Sequence, residues 1–192
     1  MRLVALTAIL AVLLAGPAAA ATIDFTSGAF SGANGVASFA AAGVTLTAGP
    51  SGALLTQSSI GGIGIEYTPY YMDSQVEGDE LLRIDFSVTS TISSVLIRRL
   101  YNDGPYLEIG SYQLNGSGPW ISFTALSDQT PQDSVGELTL LFGPNTLVNS
   151  IIFKVQEGYP TEDLNHEFSV ASINASAVPI PAAAWLLGTG LV

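Results

Sequence analysis

The sequence predicts an all-β protein, a β-sandwich of jelly-roll-like type, and three observations predict it. Short apolar runs alternate with polar residues at a period of two, which marks half-buried strands. Clusters of Gly, Pro, Asn, Asp and Ser punctuate these runs at close spacing. Past the N-terminal segment, no stretch shows a sustained helical period with capping residues. Nine or ten short strands in one chain read as a sandwich.

The elements follow in order. "MRLVALTAILAVLLAGPAAAATIDF" carries one basic residue, Arg2, then an apolar run over 3–14, then Gly16, Pro17 and a run of alanines. A basic start, an apolar stretch and an Ala-x-Ala pattern describe a secretory signal peptide over 1–20. Cleavage after Ala20 or after Ala21 fits equally well. "TIDF" and "GVTLTA" supply the first two strands of the exported domain, which spans 21–177. "ELLRIDFSV" places Leu82, Ile84, Phe86 and Val88 on one face and Leu81, Arg83, Asp85 and Ser87 on the other. The polar "TSTIS" reads as a turn before "SVLIRRLY", and "NDGP" ends that strand. "YLEIGSYQL" runs into Asn115-Gly116, a strong hairpin signal, and then into "WISFTAL". "VGELTLLF" and "NSIIFKVQ" form a pair across "GPNTLV", and "HEFSVASINAS" is the last strand. A faint echo links 81–99 to 137–155, matching Leu82 to Leu138 and Phe86 to Phe142. Two strand pairs of similar loop length produce such an echo, so it supports the sandwich and not a repeat array.

Composition narrows the partners. The formal charge is −11, and loss of Arg2 with the signal peptide makes it −12. Such acidity argues against nucleic acid, whose phosphates would repel it. No cysteine occurs, so export brings no disulfides and stability must come from a core.

The chemistry of catalysis is thinly represented. His166 is the lone histidine, so the common N/S zinc sites lack ligands. No G-x-S-x-G elbow surrounds a serine for His166 to serve, and beside Glu167 it reads as an exposed loop residue. "GGIGIEY" (61–67) lacks both the third glycine of a dinucleotide loop and the lysine of a phosphate loop. Paired carboxylates are the remaining catalytic option, because glycosidases use two acids about 5–9.5 Å apart. Glu77, Asp79 and Glu80 in "QVEGDELL" are the densest cluster, with Glu162 and Asp163 further on. The same acids raise the question of a structural calcium, which takes six to eight oxygens from strand-end loops. "NDG" (102–104) and "QVEGDE" (75–80) are the loops concerned. Neither matches the EF-hand pattern, and solvated loop acids are the simpler reading; no other cofactor is expected.

Aromatic residues suggest a binding function instead. Tyr67, Tyr70 and Tyr71 lie in "EYTPYYMD" beside Glu66 and Asp73, with Tyr101, Tyr106 and Trp120 elsewhere. Aromatic rings stack on the apolar faces of sugars while nearby carboxylates take hydroxyls. The alternative is that the rings plug the ends of the sandwich. Tyr67, Tyr70, Tyr71 and Asp73 are the candidate ligand-binding residues.

The chain closes on "VPIPAAAWLLGTGLV" (178–192). Its apolar part, 182–192, would reach roughly 16 Å as a helix, against a bilayer core of about 30 Å. The segment resembles the C-terminal sorting signal of the PEP-CTERM family in its V-P-x-P variant. Val178, Pro179 and Pro181 match the motif, Ile180 stands between the prolines, and alanines, Trp185, Gly188 and Gly190 follow. The two prolines hold an extended segment of the kind proteases bind. The stretch from "GGIGIEY" to "TISSVLIRRLYNDG" is also similar to a sandwich domain recurrent in that family. The resemblance implies recognition by an exosortase-type membrane protease, transient inner-membrane association, and delivery to the cell surface or extracellular matrix of a Gram-negative bacterium. The family's signal continues through a full membrane-spanning length to a basic cluster, whereas no basic residue follows Lys154 here. The expectation is that the signal is incomplete as written. Together these readings predict a secreted, non-enzymatic protein that binds exopolysaccharide. The alternative is a secreted polysaccharide hydrolase or lyase working through Glu77, Asp79 and Glu80.

Overall fold

The computed structural model describes residues 20–66, 76–77, 79–103, 106–128, 135–155 and 167–178, with the side chains of 77, 103 and 106 excepted. Within them the chain forms β1 (Ala21–Asp24), a 3-10 turn (Gly28–Ala33), β2 (Ser38–Ala41), β3 (Val44–Gly49), β4 (Leu54–Ser58), β5 (Gly62–Glu66) and β6 (Val76–Glu77). There follow β7 (Leu81–Arg98), β8 (Asn102–Asp103), β9 (Tyr106–Leu107), β10 (Ile109–Leu114) and β11 (Ile121–Thr124). The last three are β12 (Leu138–Leu141), β13 (Leu147–Val155) and β14 (Glu167–Ala177). Among the described residues no helix is long and apolar enough to cross a membrane.

The organising element is β7, and here the sequence expectation fails. "TSTIS" is not a turn; β7 runs unbroken for 18 residues. The segment contains no Gly, Pro, Asn or Asp to fix a reversal, and Ser and Thr fit a strand well. Ser90 and Ile92 keep their side chains inward. What the chain does instead is change sheets. Residues 81–86 pair with β3, while residues 90–98 pair with β14. Opposite the crossing the β7–β13 register shifts, with Val148 facing Ser90 and Ser150 facing Asp85, so that β7 residues 86–89 bulge against Asn149 alone. A bulge of this kind is how a strand turns a corner between packed sheets.

The expected pair of "VGELTLLF" with "NSIIFKVQ" is likewise corrected. β12 and β13 do not pair with each other; both lie antiparallel to β7, β12 against 94–97 and β13 against 81–91. The echo between 81–99 and 137–155 sets one strand, β7, against two, β12 and β13, and reflects the shared alternation alone. "YLEIGSYQL" breaks at Glu108 into β9 and β10, while Asn115-Gly116 does turn left-handed, at φ 57° and 61°. Asn115 does more than turn the chain. Its Oδ1 accepts from the Asn149 N–H at 2.7 Å and its Nδ2 donates to the Leu147 carbonyl at 3.1 Å, tying the hairpin to the stretch of β13 that faces the bulge.

Two sheets result. One runs β2-β3-β7-β13-β10-β11 and the other runs β12-β7-β14 and on to β1, β5 and β4, all antiparallel. Their inner faces meet through Phe153 and Phe123 on one side and Phe168 on the other, with ring centroids 6.5 and 5.2 Å apart. Phe25, Phe30, Leu46, Leu55, Ile84 and Ile97 complete a fully buried core. This is the β-sandwich the alternation predicts, jelly-roll-like in that most partners are distant in sequence. Glycine is required where the layers touch. A Cβ on Gly110 would lie 2.2 Å from the Phe123 ring, and one on Gly62, at φ 105°, would lie 2.2 Å from the Val170 carbonyl oxygen. The glycines of "GGIGIEY" thus serve the approach of β5 to β14, and β4–β5 is a hairpin the sequence reading missed.

Candidate functional site

Because β7 and its partners fold over a corner, the sandwich has two unlike poles. At one, β5 ends at Glu66, β7 begins and ends, β10 begins, β11 ends, β13 ends and β14 begins. The described residues that flank 67–75, 104–105, 129–134 and 156–166 stand at this pole. It carries Glu66, Asp79, Glu80, Glu108, Glu137 and Glu167, together with Arg98 and Arg99. At the other pole β7 turns its corner.

The loop-bearing pole is tightly fastened. Arg98 binds Glu137 through Nε at 2.8 Å and donates from a second nitrogen to the Ile60 carbonyl at 2.7 Å. Ser169 Oγ donates to the Gly61 carbonyl at 2.9 Å. Glu108 is 7% exposed and accepts a hydrogen bond from the Tyr101 backbone N–H. The Glu108 N–H returns a bond to the Tyr101 carbonyl at 3.2 Å. This reciprocal pair closes the β8–β9 hairpin onto the sandwich. Burial pushes the Glu108 carboxyl up to about 9; the Tyr101 N–H opposes this and the Glu167 charge adds to it. Burial also pushes the Tyr101 phenol up, with Arg99 opposing and the carboxylates of Glu108 and Glu167 adding.

The sequence candidates fall unevenly on this frame. Tyr67, Tyr70, Tyr71 and Asp73 lie outside the described residues, in the segment that leaves from Glu66 and returns at Val76. Pro179, Pro181, Glu162, Asp163 and His166 also lie outside them. Val178 is described, exposed, and held by its N–H on the Thr89 carbonyl at 2.9 Å. Of the acidic cluster, Glu77 pairs through its backbone with Glu167, Asp79 is exposed, and Glu80 is only 5% exposed. Among the described residues no three metal-capable side chains converge. Glu108 has no signal in the sequence beyond sitting in an alternating strand, and its burial comes from the break between β9 and β10.

A second feature was legible only as an isolated aromatic. Trp120 lies just ahead of β11 and is exposed, with the Lys154 ammonium 4.9 Å from its ring centroid. The registers place Gln113, Ile152, Arg83, Thr47 and Ser38 in a row across the outer face of the first sheet. At about 4.8 Å between strands, this row is roughly 20 Å long. Arg83 is locked on Asp85 by three bonds of 2.7–3.0 Å, which raise its already high pKa. Both side chains are substantially exposed, so the pair adds little stability. It fixes a flat array of donors and acceptors beside an indole.

No protein-family model matches this chain, and no curated protein matches it. Among solved structures it is similar to the exo-β-1,3-galactanase from Phanerochaete chrysosporium with galactose, at 14% identity and a TM-score of 0.41. The match covers 82% of this chain and 29% of the galactanase.

Proposed function

We propose that this is an exported protein of the cell surface or extracellular matrix, sorted through its C-terminal segment by an exosortase-type protease, and that it binds exopolysaccharide without turning it over. The observation that supports the binding reading best is the outer sheet face. Trp120 offers an apolar ring, and Gln113, Arg83 and Thr47 offer donors and acceptors in a row beside it, with Asp85 bonded to Arg83. A sugar chain presents that same alternation of apolar faces and hydroxyls. Tyr67, Tyr70 and Tyr71, with Asp73, are a second candidate contact region, in the segment between Glu66 and Val76.

The test is affinity electrophoresis in gels containing host exopolysaccharide, followed by assay for new reducing or unsaturated ends. Trp120→Ala is expected to weaken binding by about tenfold, which corresponds to about 1.4 kcal/mol. The pair Tyr70→Ala and Tyr71→Ala should weaken it further. Unchanged retardation in all of these variants would sink the binding reading. Release of new chain ends by the unmutated protein, lost in Glu77→Gln or Asp79→Asn, would replace it with the hydrolase or lyase.

A further inference from the structure

The corner pole has a chemistry of its own. The residues gathered there are 20–22, 41–44, 86–90, 115–120, 142–149 and 175–178, and none of them is charged. Their proximity follows from the pairing: Val44 faces Phe86, Ala21 faces Ala175, Ala177 faces Ser90, and the Asn115 N–H donates to the Ser150 carbonyl. Exposed aliphatic side chains stand on these uncharged segments, while Ile60, Leu126 and Val135 are exposed at the pole that carries the charges. Val88 is 50% exposed and Leu147 is 53% exposed. Leu141, opposite Ser94 on the neighbouring edge strand, is 81% exposed. Val178 joins them, bonded to Thr89. Among the described acids, Glu66, Asp79, Glu80, Glu108, Glu137 and Glu167 stand at the far pole, whereas Asp85, next to Phe86, is ion-paired with Arg83 and Asp24 lies along β1.

Both apolar ends of the sequence attach here. The segment 1–20 enters β1 beside Ala175, and the segment 179–192 begins where Val178 leaves Thr89. We infer that the corner pole is a bilayer-contacting surface, which rests against phospholipid and holds the acidic pole outward. Exposed aliphatic groups gain by leaving water for the headgroup and acyl boundary. Anionic headgroups repel carboxylates, so the charge distribution favours this orientation and opposes its reverse. The inference rests on the sorting reading, since that reading brings the domain to a membrane. It rests on Val88, Leu141, Leu147 and Val178 and not on Trp120, which precedes β11 at the margin of this pole.

Because the chain contains no cysteine, single labels can be placed cleanly. The full chain is mixed with vesicles of phosphatidylethanolamine and phosphatidylglycerol carrying a lipid-borne quencher. A fluorophore is attached at Val88→Cys or Leu147→Cys, and for comparison at Leu126→Cys, exposed at the loop-bearing pole. The expected result is at least about threefold stronger quenching at 88 and 147 than at 126. Leu141→Glu combined with Leu147→Glu should weaken vesicle association by about tenfold, a loss of about 1.4 kcal/mol. It should leave retardation by exopolysaccharide unchanged. Equal quenching at the two poles on vesicles that do bind would overturn this inference alone. No vesicle association at all would overturn it together with the membrane step of the sorting reading. A concentration-dependent dimer that shields 88 and 147 without lipid would assign the patch to a second copy instead.

Discussion

Replacing Glu108 by Gln should change the slope of stability against pH. Glu108 is nearly sealed from solvent, and burial raises its carboxyl from the ordinary 4.5 to about 9. The folded protein therefore keeps this proton through neutral pH, whereas the unfolded chain releases it above about 4.5. Between those values the native state binds more protons, so stability falls as pH rises, by up to about 1.4 kcal/mol per unit. The contribution is fully present below pH 4.5 and lost by about pH 9. At pH 7 the accumulated loss is about 3 kcal/mol. Glu108→Gln removes the titration while its amide oxygen can still accept from the Tyr101 N–H. The new amide leaves a buried donor to satisfy, at a cost of about 1–3 kcal/mol. The variant should thus be no more stable than the wild type at pH 4.5 and should overtake it between about pH 5 and pH 7. Urea unfolding at a series of pH values measures the difference directly, because every other titrating group contributes equally to both proteins. Parallel curves for the two proteins would show that Glu108 is ionised in the native state and that the argument from burial is wrong.

Three further substitutions test the frame. Phe168→Ala removes the ring on which Phe123 and Phe153 meet and should cost about 3–5 kcal/mol in chemical unfolding. Asn115→Ala takes away the bonds to Asn149 and Leu147 on the stretch of β13 that faces the bulge and should cost about 1–3 kcal/mol, with hydrogen exchange faster at Asn149 and Ser150 first. Thr56 Oγ1 is buried without a hydrogen-bond partner, so Thr56→Val should hold or raise the melting temperature, an outcome opposite in sign to the other two.

How much of this was legible follows from the kind of signal each element carries. The alternation of Leu82 and Ile84, or of Phe168 and Val170, states that a strand exists and which side chains go inward. It does not state the partner. "TSTIS" looked like a turn because it is polar, yet polarity marks only exposure, and a reversal also needs a residue that fixes the backbone. Gly62 was ambiguous alone; its reason is a carbonyl of Val170, more than a hundred residues away. Glu108 and the Trp120 row depend on register across several strands, which no local window contains. The charge asymmetry was hidden for the same reason, since acids scattered along the chain become neighbours only when the strand ends are gathered.

The corner in β7 also governs when this domain can exist. Its first half needs β3 and β13, and its second half needs β12 and β14. β1 has no partner until β14 arrives, since Ala21 pairs with Ala175. Strand contacts this far apart in sequence make folding slow and late. A chain delivered N-terminus first stays open until residues near 177 have emerged, and then both sheets close together. Residues 178–192 follow at once, so the arrival of the terminal segment coincides with completion of the fold that precedes it. The strand order thereby makes closure of the sandwich wait on its last strand.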